Sequence, residues 1–175
     1  MAALEPDLQT LEQRWLEFLE VDCLDLLEYD FWLSPPEDLD PNEEVTFKAR
    51  DWNSGPCWDL AAALRIWLGQ GQTSIDTIAV HGAARVGDFY LDGNGFSSPA
   101  QMRARWLRAA VRQGKGRTLR PLSEEDLHEA VNADMVLSLA RRMRSRLDKY
   151  RFLALLTPGL GSSEVGSPGL EPNLA

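Results

Sequence analysis

The chain has 175 residues, 44% of them hydrophobic, enough for one sizeable core without disulfide staples. No run approaches the ~18 apolar residues of a membrane span, and the N-terminus lacks the basic-then-apolar pattern of a secretory signal; a soluble protein of a reducing, cytoplasmic compartment is expected. Net charge is −9 but uneven: residues 1–44 hold fourteen acids and one base (Arg14), residues 45–175 thirteen acids and seventeen bases, which argues against nucleic acid as a ligand of the acidic part.

Residues 6–33 read as helix with a break near Val21 and Asp22. Pro6 suits a first turn, and Leu8, Leu11, Trp15, Phe18 and Leu19, then Leu24, Leu27 and Phe31, recur at helical spacing. Ser34-Pro35-Pro36 ends it. An acidic loop follows to residue 43, and Val45–Ala49 suggests a short strand. Asn53-Ser54-Gly55-Pro56 is turn material, and Cys57–Leu68 a strong helix stopped by Gly69 and Gly71. Thr77–Val86 and Phe89–Asp92 have strand character, joined by the two-residue hairpin signal Gly87-Asp88. Gly93-Asn94-Gly95 closes the second strand. Ser97 or Ser98 caps a helix reaching about Arg112. After a Gly-Lys loop, residues 117–122 suggest a last strand, and Ser123-Glu124-Glu125-Asp126 opens one long amphipathic helix to Leu156. The Gly-, Ser- and Pro-rich residues 157–175 read as an unstructured tail behind a single domain of residues 1–156.

If Gly87 and Asp88 are the turn, Val86 faces Phe89, His81 lies opposite Asn94, and Asp92 lies opposite Ala83. His81 and Asp92 then share one face as diagonal neighbours, with Ala79, Ala83, Arg85 and Tyr90. Ile78, Val80, Val86, Phe89 and Leu91 fall on the other. Cys57 stands at a helix start, where unpaired amides and the helix dipole favour a thiolate. An imidazole can take the thiol proton and later protonate a leaving group. A carboxylate behind it fixes its tautomer and steadies its cation. Taken singly each residue has an ordinary explanation: a buried thiol, a structural histidine, a turn aspartate. Their order, the helix start and the shared face make the joint case. Two cysteines and two histidines show no metal-ligand spacing, and no Gly-rich phosphate loop is present, so no cofactor is expected.

Cys57-Trp58 at a helix start, followed by a strand histidine and a next-strand aspartate, resembles the papain-like superfamily. The short spacing is closest to its transglutaminase-like branch of proteases, transglutaminases, deamidases and N-acetyltransferases. Gly55-Pro56-Cys57-Trp58-Asp59-Leu60-Ala61 and Tyr90-Leu91-Asp92-Gly93-Asn94-Gly95 also look like small bacterial and phage proteins of unassigned activity. The resemblance covers residues 50–96. It implies an α+β fold, with a Cys-bearing helix on a small antiparallel sheet flanked by N- and C-terminal helices. It also implies Cys57 as nucleophile, His81 as base and Asp92 as orienter. Asn53 stands where an oxyanion-hole glutamine is not obvious, and Trp58, Tyr90 and Asn94 are the remaining candidates for substrate contacts. The expected activity is thiol-dependent acyl transfer, hydrolysis or deamidation of an amide in a protein or peptide. The alternative is a non-catalytic module that binds a partner through its acidic N-terminal region. That region can equally pack on the basic helices of its own chain, which is the preferred expectation.

Overall fold

A computed structural model describes residues 5–40, 42, 44–112, 114 and 118–158. The expected tail lies outside these residues from 159 on; Thr157 is buried, its hydroxyl donating to the Leu153 carbonyl.

Helix α1 (Pro6–Glu17) buries Leu11 and Trp15. It runs into a π-helical turn, Phe18–Asp22, and α2 (Leu24–Leu33) restarts after Cys23, whose φ of −127° is the expected break. No strand forms at Val45–Ala49. Those residues are irregular, and a 3-10 turn, Ala49–Asn53, follows. The Asp51 carboxylate accepts the Lys48 amide at 2.8 Å, giving the backbone a local alternative to a ladder. Helix α3 (Cys57–Leu68) follows and ends at Gly69.

The antiparallel sheet comprises β1 (Thr73–Ile78), β2 (His81–Val86), β3 (Phe89–Asp92), β4 (Gly95–Ser97) and β5 (Arg120–Pro121), in the order β4-β3-β2-β1-β5. The single strand expected over Thr77–Val86 is therefore two. The chain folds back at Ala79-Val80, with Ile78 paired to His81. Ala79 takes φ +56°, the one non-glycine positive φ among the described residues, at a cost of roughly 1 kcal/mol for an L-residue. Neither residue advertises a turn. The extra turn puts Ile78 on the face of His81 and leaves Val80 half exposed, where both were expected on the other face. The Gly87-Asp88 hairpin has the expected register, Val86 with Phe89, Arg85 with Tyr90 and Ala84 with Leu91. The ladder does not continue to His81 and Asn94. Asn94 lies in the β3–β4 turn, between the paired Asp92 and Gly95.

One face of the sheet carries Ile75, Ala84, Val86 and Leu91 into the main core, with Leu60, Ala61 and Leu64 of α3. Each fully buried Leu or Ile there contributes on the order of 2 kcal/mol. The other face, with Ile78, Ala83 and Tyr90, is covered by Met102 and Trp106 of α4 (Pro99–Arg112). Ser98 and Gln101 cap α4 reciprocally. The long helix expected to Leu156 is three: α5 (Glu124–Ala130), α6 (Ala133–Arg146) and α7 (Lys149–Leu156). Asn132 and Asp148, each capping the helix after it, make the breaks. Helix α6 packs along α3. It also meets the acidic N-terminal block: Arg142 binds the Asp25 carboxylate and the Asp22 carbonyl, and Arg146 lies 3.5 Å from Asp22.

Candidate active site

Helix α3 begins at Cys57. Its N-cap is Pro56, and no side chain bonds to the first-turn amides. The positive end of the helix is thus left open at the thiol. Helix and sheet meet closely here. A Cβ on Gly82, the residue after His81, would stand 2.1 Å from the Trp58 ring, so only glycine lets Trp58 lie against β2.

His81 opens β2, and its Nε2 lies 3.0 Å from Oδ2 of Asp92, the last residue of β3. The other carboxylate oxygen, Oδ1, accepts the Asn94 amide at 2.7 Å and lies 3.6 Å from the Arg105 guanidinium. Two further contacts hold this corner. The Trp15 indole donates to the Asp92 carbonyl at 2.8 Å, and Glu12 accepts the Phe96 amide at 2.6 Å. The N-terminal helix thus braces the hairpin that carries the aspartate.

With Asp92 at Nε2, Nδ1 is the nitrogen left for the thiol. It is buried and closes no hydrogen bond in this conformation. Burial pulls the imidazole pKa down, but the Asp92 hydrogen bond and the charges of Asp92 and Cys57 outweigh it and raise the pKa above its ordinary value. Asp92 and His81 are thus bonded, and Cys57 is near enough for its charge to act on the imidazole without a closed sulfur–nitrogen hydrogen bond.

The other candidates have humbler contacts. Asn53 Oδ1 accepts the Gly93 amide at 2.9 Å, tying the 3-10 turn to the β3–β4 corner. Tyr90 is buried with its hydroxyl bonded to the Asp76 carboxylate, which together with burial raises the tyrosine pKa. Asn94 serves Asp92 through its backbone. Trp58 walls the site at Gly82.

Sequence reasoning missed the cover. Cys57 is 4% exposed, His81 1% and Asp92 2%, so the triad is closed to solvent. The Trp106 indole stacks on the His81 ring, centroids 4.1 Å apart and planes 14° from parallel. Met102, Trp106 and Ala110 recur every four residues, a signal for a buried stripe but not for what it would face. Among the described residues no group of three His, Cys, Asp or Glu side chains could hold a metal, and no helix is long and apolar enough to cross a membrane.

Fold and site together define an α+β protein with an internal Cys-His-Asp cluster. Compared with known proteins, the chain matches no family model, no curated protein and no solved structure.

Proposed function

We propose that this protein is a cysteine acyl-transfer enzyme that hydrolyses or deamidates an amide in a protein or peptide, with Cys57 as nucleophile, His81 as acid and base, and Asp92 as the group that orients the imidazole. The observation that carries the reading is the Asp92–His81 bond at Nε2, which leaves Nδ1 unpartnered on a ring whose pKa the Cys57 thiol helps to raise. The helix start at Cys57 and the side-chain bond between His81 at the start of β2 and Asp92 at the end of β3 support a papain-like, transglutaminase-like reading of the fold. Two free cysteines suit a reducing, cytoplasmic compartment.

The chemistry follows in two halves. The Cys57 thiolate adds to the carbonyl carbon, and first-turn amides of α3 hold the oxyanion. The Nδ1 proton of His81 passes to the leaving nitrogen as the C–N bond breaks, giving an acyl-enzyme and an amine or ammonia. Water then gives its proton to Nδ1 as its oxygen bonds the acyl carbon, and the thiolate departs with the acid released. Asp92 keeps its proton count throughout.

Iodoacetamide at pH 7 tests this on the folded full-length chain. Cys57 is expected to react and Cys23 to stay silent. His81→Ala should slow Cys57 by roughly tenfold or more, and Asp92→Ala by less, since it acts through the imidazole. Reaction of Cys57 only after unfolding would make it a core thiol and end the reading.

One observation favours a second reading, a binding protein on the same scaffold: the triad is closed. In that case Cys57→Ser leaves function intact, and exposed acids such as Glu17 and Glu20 are the groups to neutralise in a salt-dependent binding assay.

A further inference from the structure

A cavity of about 620 Å³ reaches Pro56, the residue before Cys57. Its walls come from α2, from residues 45–47 and from the turn that leads into α3. Leu27, Phe31, Phe47 and Pro56 supply apolar surface, and Asp30 and Asp51 supply carboxylates, with no Lys, Arg or His in the lining. Asp51 is committed to the Lys48 amide. Asp30 has no ion-pair partner among the described residues, and burial raises its carboxyl pKa. A Cβ on Gly55 would stand 3.9 Å from Asp30 Oδ2, so this carboxylate flanks the backbone two residues ahead of Cys57. Its charge reaches Asp59 on the first turn of α3 as well.

A carboxylate partly withdrawn from water beside apolar walls, with no cation at hand, is disfavoured. A ligand that brings the cation offsets that cost, and an aliphatic stem behind the cation covers the aromatic walls. Pro56 is bonded to Cys57, and consecutive Cα atoms are ~3.8 Å apart, so a side chain seated against Pro56 lies next to the start of α3. We propose that this cavity receives the lysine or arginine side chain of a peptide or protein, with Asp30 as its anion, and so selects which amide reaches Cys57. The location gains its meaning from the acyl-transfer reading, but the recognition chemistry does not depend on it.

The test separates the two. Acetyl-alanyl-lysyl-alanine amide and its norleucine and glutamate counterparts are titrated into isotope-labelled full-length protein carrying Cys57→Ala, with the amides of Thr46, Phe47 and Ser54 as NMR reporters. The lysine peptide is expected to bind tighter than the norleucine peptide by roughly tenfold, and the glutamate peptide weakest. Asp30→Asn should erase the lysine preference. Leu33→Trp, at the rim, should weaken all three. Equal binding of lysine and norleucine, or an Asp30→Asn variant that keeps the preference, overturns the proposal. In the cysteine-bearing protein, a lysyl chloromethyl ketone should alkylate Cys57 faster than the norleucyl reagent. If lysine is preferred in binding but neither reagent touches Cys57, the cavity stands as a cation site and the enzyme reading falls.

Discussion

The two cysteines occupy opposite kinds of surroundings. Cys23 lies in the main core at the α1–α2 junction, and burial pushes its thiol up to about 12. The charges around it are matched, with Arg142 on Asp25 and Arg146 on Asp22. Cys57 is nearly as enclosed, but the polar groups near it are short of partners. The Nδ1 of His81 and the indole nitrogen of Trp106 are buried without hydrogen bonds. Asp59, two residues on, is a buried acid that accepts the Asn132 amide and feels the charge of Asp30. Native structures satisfy most buried polar groups; Trp52, Thr73 and Ser97 carry unsatisfied atoms too, but the stacked pair His81 and Trp106 asks for a reason. A site poised to bind and to move protons is such a reason, and the Cys23 region shows how the same chain looks where nothing of the kind is required.

If the Cys57 region is a closed site rather than a core, Trp106, stacked on His81, is its cover and removing it should have the largest effect. Trp106→Ala should raise the iodoacetamide rate of Cys57 by on the order of tenfold, since opening the cover no longer breaks the ring stack. Cys23 should not respond. The truncation removes a half-buried indole and should cost about 2 kcal/mol in a urea melt. Leu107→Ala, on the exposed side of the same helix, should change neither rate. A fall in Cys57 labelling for Trp106→Ala would mean that the ring supports the imidazole instead of hiding it, and the comparison would lose its closed-site half.

The parts of this site that lie within one turn or one hairpin were legible in the sequence. Asn53–Pro56 announced the start of α3, and Gly87-Asp88 set the register that puts Asp92 with His81. What stayed hidden was carried by residues with no local signature. Ala79-Val80 turns the chain with neither Gly, Asn nor Asp, so β1 and β2 read as one strand and Ile78 was put on the wrong face. Asn132 and Asp148 break an apolar pattern that runs on through them, because a cap residue is also an ordinary residue of a helix's wet face. Trp106 over His81, Trp15 on the Asp92 carbonyl and Asp30 beside Gly55 are meetings of distant segments. Spacing can show that each side chain is buried or charged, but not what it meets.

The unmatched acid near Cys57 gives the next effect. Burial is the main cause that moves Asp59 up to about 6, with Asp30 adding repulsion, while the Asn132 amide at 2.6 Å pulls the other way. A raised carboxyl binds protons more tightly folded than unfolded, so stability is highest at acid pH and falls as pH rises from about 4 through 6. Asp59→Asn keeps an acceptor for the Asn132 amide and removes the charge. It should flatten that slope and, at pH 8, gain up to about 3 kcal/mol. Urea melts at pH 4.5, 6 and 8 check it; an equal pH slope in variant and parent would show that Asp59 is already compensated.

The matched acid near Cys23 gives the smallest effect, with the opposite sign. The Arg142 hydrogen bonds hold the Asp25 carboxyl below its ordinary value. A depressed carboxyl contributes stability that is present above the unfolded pKa near 4 and is lost as pH falls through the lower folded value. The contribution is modest because Asp25 is two-thirds exposed and water screens the pair. Even with two bonds to one guanidinium, an exposed pair of this kind amounts to roughly 0.5 kcal/mol. Asp25→Asn should therefore cost about that much at pH 7, less in 1 M salt, and progressively less as pH falls below ~4. The same substitution should leave Cys57 labelling untouched, because Asp25 belongs to the region whose charges are already settled. A cost above ~2 kcal/mol, or a change in the Cys57 rate, would mean that the two regions are coupled through α6 and α3 and that the matched side is not merely structural.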